Sequence, residues 1–267
     1  MFLTFPELQE CIRKVEESRA CSDELDTLNS LTSIQEFFDH PKCAFWLFWY
    51  ASNIINGRWL EAEPFINKNV EYSYWYARWV IKGRWVEAET VIRTYPDWAY
   101  RYARYVIKGR WPEVEYIISK NDITTAVRYA RDVINGRWPE IEDRILSDLE
   151  LSFIYAKDVI RGRWIPAEEI IKKDARCSYM YARSVLKCRW EEVEDVIKNN
   201  PECVYFYARH VINGRWLEAE EVIKRDPKWA YFYAKDLIKG RWTEAEEFIQ
   251  KDVGTAYLYA LNVIKGR

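Results

Sequence analysis

The 267-residue chain has only two histidines, His40 and His210, 170 positions apart and in no HExxH, HxH or Cys-His arrangement. The usual ligand set of a catalytic metal is therefore missing. No GxGxxG, GxxxxGK[ST] or GxSxG string occurs, which removes the glycine-built phosphate cradles and the nucleophile elbow. Six cysteines (Cys11, Cys21, Cys43, Cys177, Cys188, Cys203) form no CxxC pair and no zinc spacing. They lie in helical patterns where any small apolar side chain serves, and read as reduced structural thiols. No stretch approaches the ~18 apolar residues of a membrane span, and Met1 to Lys14 has no basic segment followed by an apolar one. A cytoplasmic protein with no membrane contact, no metal and no cofactor is expected. An excess of charge of one sign is lacking too: 40 Lys and Arg against 42 Asp and Glu leave a formal charge of -2. That argues against a surface that coats nucleic acid indiscriminately and leaves room only for a local basic stripe.

Large aromatic side chains are abundant instead, with 14 Trp, 19 Tyr and 11 Phe. Much of that excess repeats. A Trp recurs at Trp59, Trp85, Trp111, Trp138, Trp164, Trp190, Trp216 and Trp242, at one constant spacing that lengthens by a single position between Trp111 and Trp138. A Tyr-Ala pair keeps the same beat from Tyr50 to Tyr259, giving the consensus Y-A-x-x-V-I-x-G-R-W-x-E-A-E-x-x-I. Eight of the nine glycines fall in this frame after helical runs, which predicts a left-handed glycine at the end of a first helix, helix A. Pro112 and Pro139, followed by Glu, suit the first turn of a second helix, helix B. Pro96, Pro201, Pro227 or Asn/Asp pairs then break it.

Two helices this short cannot each bury a face alone, so the expected fold is all-α: a right-handed α-solenoid of short antiparallel helix pairs, about 26 residues per repeat. Residues 1–40 are expected to form a divergent helical N-terminal cap and residues 41–267 about eight and a half repeats. In the cap, Phe5, Leu8, Ile12 and Val15 have helical spacing, and Thr4 to Glu7 can form a capping box around Pro6. Ser33 with Glu36 offers a second box, before a degenerate helix B. Cys188 stands in a glycine position, where a left-handed backbone would cost about 1 kcal/mol. Pro166 replaces a Glu and should cause only local adjustment. At the other end, Leu258 and Leu261 occupy positions that are more varied or basic elsewhere, and Gly266 and Arg267 fall inside a motif. An end face left unfinished, or covered by a partner or by a second copy end to end, is consistent with this.

On a helical wheel the motif Tyr, the Ala, the Val-Ile pair and the residues two and three before the Tyr share one broad arc, which is the core. Three columns remain. The residue before the Tyr reads Trp49, Trp75, Arg101, Arg128, Ile154, Met180, Phe206, Phe232 and Leu258. The second residue after it is basic through Arg78, Arg104, Arg131, Lys157, Arg183, Arg209 and Lys235. The third varies and includes Trp79, Tyr105 and His210. An outward apolar column suits a binding groove; packing between successive A helices explains the first column equally well. On helix B an unbroken Glu column, Glu63 to Glu246, matches in number the Arg before each Trp. Structural pairing follows from that match, with the Trp a packed hinge and not a base-stacking platform. Acidic pairs that recur identically lack the singular environment a catalytic pair needs, so no catalytic residue is expected.

The repeat architecture resembles the tetratricopeptide-like α-solenoids, although the period is shorter and their pattern is not met. The string Tyr102-Ala103-Arg104-Tyr105-Val106-Ile107-Lys108-Gly109-Arg110-Trp111-Pro112-Glu113 resembles a repeat of uncharacterised tailed-bacteriophage proteins over about residues 50–267. This resemblance implies an origin and a setting in the cytoplasm of an infected bacterium, and no site residues.

The leading expectation is a non-enzymatic scaffold that binds a protein partner, a host or defence component if the phage resemblance holds. Its contact residues would be Trp49, Trp75, Trp79, Arg101, Tyr105, Arg128, Met180, Phe206, His210 and Phe232, because repeat scaffolds vary contact columns on a constant frame. The alternatives are single-stranded nucleic-acid binding along the basic column, with aromatic residues stacking bases, and sequestration of a small anionic ligand by a desolvated Arg cluster.

Overall fold

Except for those that start at Cys43 and Pro96, the A helices begin where an Asn or Asp turns its side chain onto the first backbone N–H groups. Asn69, Asp122, Asp148, Asp174, Asn200, Asp226 and Asp252 all cap in this way. In the computed structural model, which describes residues 30–31 and 33–264, every secondary-structure element among the described residues is helical. The fold is an all-α solenoid of paired A and B helices. The N-terminal readings at Thr4 to Val15, and those on Cys11, Cys21, Gly266 and Arg267, lie outside the described residues.

The chain forms two compact units, Met1–Asn135 and Gly136–Arg267. The first contains the helix Ile34–Asp39, capped by Ser33 as the sequence suggests, with Glu36 N–H donating to Ser33 Oγ at 3.2 Å. Its A helices are 43–55, 70–81, 96–107 and 123–134, and its later B helices Glu63–Ile66, Val86–Ile92 and Pro112–Asn121. The last of these is the longest and lies in the lengthened interval between Trp111 and Trp138. The second unit alternates in the same way, from the B helix Pro139–Ile145 to the A helix ending at Ile264. Pro166 sits in the first turn of Ile165–Ile171, where its missing N–H costs nothing.

The motif Tyr and Ala of the A helices and the recurring Ile of the B helices form the core, with Tyr102, Ala103 and Ile118 all fully buried. Each such Ile contributes roughly 1.5–3 kcal/mol by leaving water. A small residue three before the Tyr allows the helices close approach; where it is Ser, the hydroxyl donates to the last carbonyl of the preceding B helix, as in Ser152 to Ile145 and Ser178 to Ile171, both 2.9 Å.

The end of helix A differs from expectation. From the motif Ala, or in one copy the Tyr, to the Ile the helix widens to π geometry, as in Ala77–Ile81 and Tyr155–Ile160. The left-handed residue is the one before the glycine: Asn56, Lys82, Lys108, Asn135, Arg161, Lys187, Asn213 and Lys239 have φ of 53–59°. Its N–H reaches the carbonyl of the motif Ala, and the glycine N–H bonds the same oxygen, at 3.2 Å for Gly83 to Ala77. The in-frame glycines among the described residues are not left-handed, and a Cβ at Gly83, Gly109, Gly162 or Gly240 would meet nothing within 4 Å. The strain expected at Cys188 is therefore absent. Cys188 is exposed and ordinary in backbone, and Lys187 takes the left-handed position.

Candidate functional site

The most regular polar feature is a four-member network. In each of eight copies the motif Arg grips a Glu five residues on, Nε to Oε1 and Nη2 to Oε2, at 2.5–3.0 Å. The Tyr hydroxyl of the next A helix donates to the same Glu at 3.0–3.4 Å. It also accepts the backbone N–H of the motif Trp at 2.6–2.8 Å. The Glu carboxylates lie nearly out of water and the guanidinium outer edges remain wet. Paired and hydrogen-bonded, they avoid the cost of a lone buried charge. Arg137 and Arg241 hold Glu142 and Glu246 below the usual carboxylate range. Burial pushes Tyr76, Tyr181 and Tyr207 up to about 12. The motif Trp rings pack on the Tyr rings of their own repeats, with centroids 5.1 Å apart for Tyr76–Trp85 and Tyr207–Trp216. The indole nitrogens of Trp85, Trp164, Trp190 and Trp216 are buried without a hydrogen bond. This network is scaffold, as the matched Arg and Glu columns indicate.

The variable columns are less uniform than the sequence suggests. In the first unit, Arg78 lies between rings, 4.7 Å from the centroid of Trp79 and 4.3 Å from that of Tyr105, and its Nη1 donates to Tyr74 Oη at 2.5 Å. Trp79 is 53% and Tyr105 38% exposed. Arg104 instead meets Asp132 Oδ2 at 2.5 Å, an oxygen that also receives the Tyr100 hydroxyl at 2.6 Å. Arg131 holds the other edge of Asp132. Although its partial burial opposes ionisation, these donors bring Asp132 down to about 2. Arg101 and Arg128 share Asp97, at 2.6 and 2.9 Å.

In the second unit Arg209 and the Tyr205 hydroxyl hold Asp236 Oδ2, each at 2.5 Å. Lys157 is 3.5 Å from Asp158, and Lys235 lies over the Tyr231 ring. Arg183 donates to Tyr179 Oη at 2.9 Å. Phe206 packs against Tyr179, Tyr205, His210 and Trp229, and Phe232 against Tyr205 and Trp229.

The column before the Tyr is thus mainly a packing column. Trp49, Trp75, Arg101, Arg128, Met180, Phe206 and Phe232 are all half-buried, and Trp75 lies against Tyr74 and Trp98. Of the basic column, Arg104, Arg131 and Arg209 already have carboxylates. The structure adds Trp98, Trp229 and Asp97, which sequence reasoning passed over. Trp98 and Trp229 stand four residues before the motif Tyr, one turn from the noted column, and that spacing was the available signal. Among the described residues no group of three His, Cys, Asp or Glu could hold a metal, and no helix is long and apolar enough to cross a membrane. No protein-family model matches the chain, and neither a curated protein nor a solved structure is significantly similar to it.

Proposed function

We propose that the protein is a non-enzymatic scaffold that binds another protein through the variable face of its A helices, centred in the first unit on Arg78, Trp79 and Tyr105. One observation carries this reading. Arg78 is held between two exposed aromatic rings and has no carboxylate partner among the described residues, while comparable arginines such as Arg104 are neutralised within the fold. Arg, Trp and Tyr are the side chains that most often dominate protein interfaces, and here they are ordered before any partner arrives. The resemblance of the repeat to phage strings points to a host or defence component as that partner.

The test is Trp79→Ala with Tyr105→Ala. Capture of a stoichiometric protein partner should weaken by about 30-fold or more, the equivalent of ~2 kcal/mol, with helical content and melting unchanged. Full retention of capture would remove the assignment. Trp75 is left intact because it packs between helices and its loss would confound the result.

The same ring and guanidinium arrangement also suits a stacked base, which favours single-stranded nucleic acid as a second reading. With Arg104, Arg131 and Arg209 already ion-paired, few cations are left for phosphates. Nuclease-sensitive binding that falls steeply with salt would reverse the ranking.

A further inference from the structure

Four Tyr-Arg pairs recur on the A helices, at Tyr74/Arg78, Tyr100/Arg104, Tyr179/Arg183 and Tyr205/Arg209. In each, the guanidinium Nη1 donates to the phenol oxygen four residues earlier. Two pairs are completed by a carboxylate from the following A helix. Asp132 Oδ2 accepts from both Tyr100 and Arg104, and Asp236 Oδ2 from both Tyr205 and Arg209. Both aspartates stand three residues after the motif Tyr of their repeat, so the fold displays a carboxylate clamp of defined register.

The equivalent position facing the other two pairs is not acidic. Facing Arg78 it is Tyr105, whose ring covers the guanidinium. Facing Arg183 it is His210, whose side chain makes no hydrogen bond among the described residues and stacks on Phe206 with centroids 6.0 Å apart. Arg183 is exposed, has Tyr179 as its hydrogen-bond partner and forms no ion pair among the described residues.

We propose that the Tyr179–Arg183 pair is a docking point for an Asp or Glu side chain of a protein partner, with Phe206 and His210 as its wall. The proposal rests on the protein-binding reading above and specifies the partner's chemistry. The two filled clamps show which group fits: a carboxylate oxygen presented by a neighbouring helix, within reach of a phenol O–H and a guanidinium N–H together. A partner helix carrying an acidic residue reproduces what Asp236 does from within. A free small acid would have only these two donors at an exposed site, where an ion pair contributes little. A protein side chain brings further contacts with the adjacent rings. The local field agrees in sign: besides partial burial, Arg183 and Arg209 hold His210 below the ordinary imidazole range, and Asp236, the nearby acid, is engaged by Arg209 and Tyr205.

The presence of only two histidines makes the test direct. The probe is N-acetylaspartate N-methylamide, titrated into the full chain at constant ionic strength while the imidazole signals of His210 and His40 and the Arg183 Nε–H are followed by NMR. Because the isolated side chain lacks a partner's further contacts, a weak shift confined to His210 and Arg183 at high probe concentration, with the His210 midpoint moving up and His40 unchanged, is expected. Arg183→Gln should abolish it. In His210→Asp, which fills the clamp from within, the Arg183 Nε–H should no longer respond to the probe, and the melting temperature should rise. Equal, non-saturating drift of both histidines would overturn the proposal, as would displacement of the probe by inorganic phosphate at about tenfold lower concentration, which marks a free-oxyanion site. If His210→Asp and Arg183→Gln leave partner capture intact, the clamp reading falls while the scaffold reading stands; the Trp79/Tyr105 variants decide the latter separately.

Discussion

A single tyrosine oxygen does two jobs in each of eight copies, Tyr76 to Tyr259, accepting the Trp amide and donating to the buried Glu. Removing it by Tyr102→Phe keeps the ring against Trp111, 5.2 Å between centroids. It leaves the Trp85 amide without its acceptor and Glu89 short of a donor. A loss of about 1–3 kcal/mol is expected, the cost of an unsatisfied buried polar group, read as a lower denaturation midpoint at unchanged slope. A neutral result would mean that the hydroxyl is dispensable. The Arg and Glu half of this network is legible in the sequence, because two columns of equal count and opposite charge invite pairing. The hydroxyl is not, since spacing places a ring in the core without telling which distant backbone amide its oxygen meets.

At the level of the element, the sequence points to the glycine after each A helix as its left-handed stop, and the neighbour before it takes that role. The chemical reason lies in the π-wide last turn, which shifts the reversal one residue earlier and lets the Ala carbonyl accept two N–H groups. Four copies spend a Lys at this strained position, and left-handed backbone costs a residue with a Cβ about 1 kcal/mol. Lys108→Gly should therefore stabilise by roughly 0.5–1 kcal/mol. Gly109→Ala should lie within about 0.5 kcal/mol of neutral, because the added methyl meets nothing within 4 Å. Denaturant titration of both variants decides between the two assignments; the reverse pattern would restore the glycine as the left-handed residue.

Across the whole molecule the same ionisable groups recur in both units, so pH acts on all copies together. Burial raises the motif tyrosines above the ordinary phenol range of ~10, to about 12 for Tyr76, Tyr181 and Tyr207. The unfolded chain then ionises first, so this stabilisation is complete below pH ~10 and is lost as pH rises toward about 12. Tyrosinate absorbance and loss of helical circular dichroism should rise together in that window. Tyrosines titrating fully near pH 10 with helices intact would contradict the network. Glu142 and Glu246, depressed chiefly by their arginines, act in the opposite sense. Their contribution is present above the unfolded carboxylate range of ~4.3 and disappears as pH falls below it.

The helical class, the repeat, the core positions and the Arg-Glu pairing follow from periodicity, because a column that recurs once in every repeat meets the same neighbours each time. What periodicity leaves open is decided where one repeat differs from the next. Arg104, Arg183 and Arg209 are equivalent in sequence frame, yet two are neutralised by aspartates of the following A helix and one faces a histidine. That distinction depends on which residue the next helix places opposite, a fact of register between helices and not of any single column. The column before the Tyr turns inward for a related reason: half-burial depends on how closely successive A helices approach, and the small residues on their shared arc set that distance.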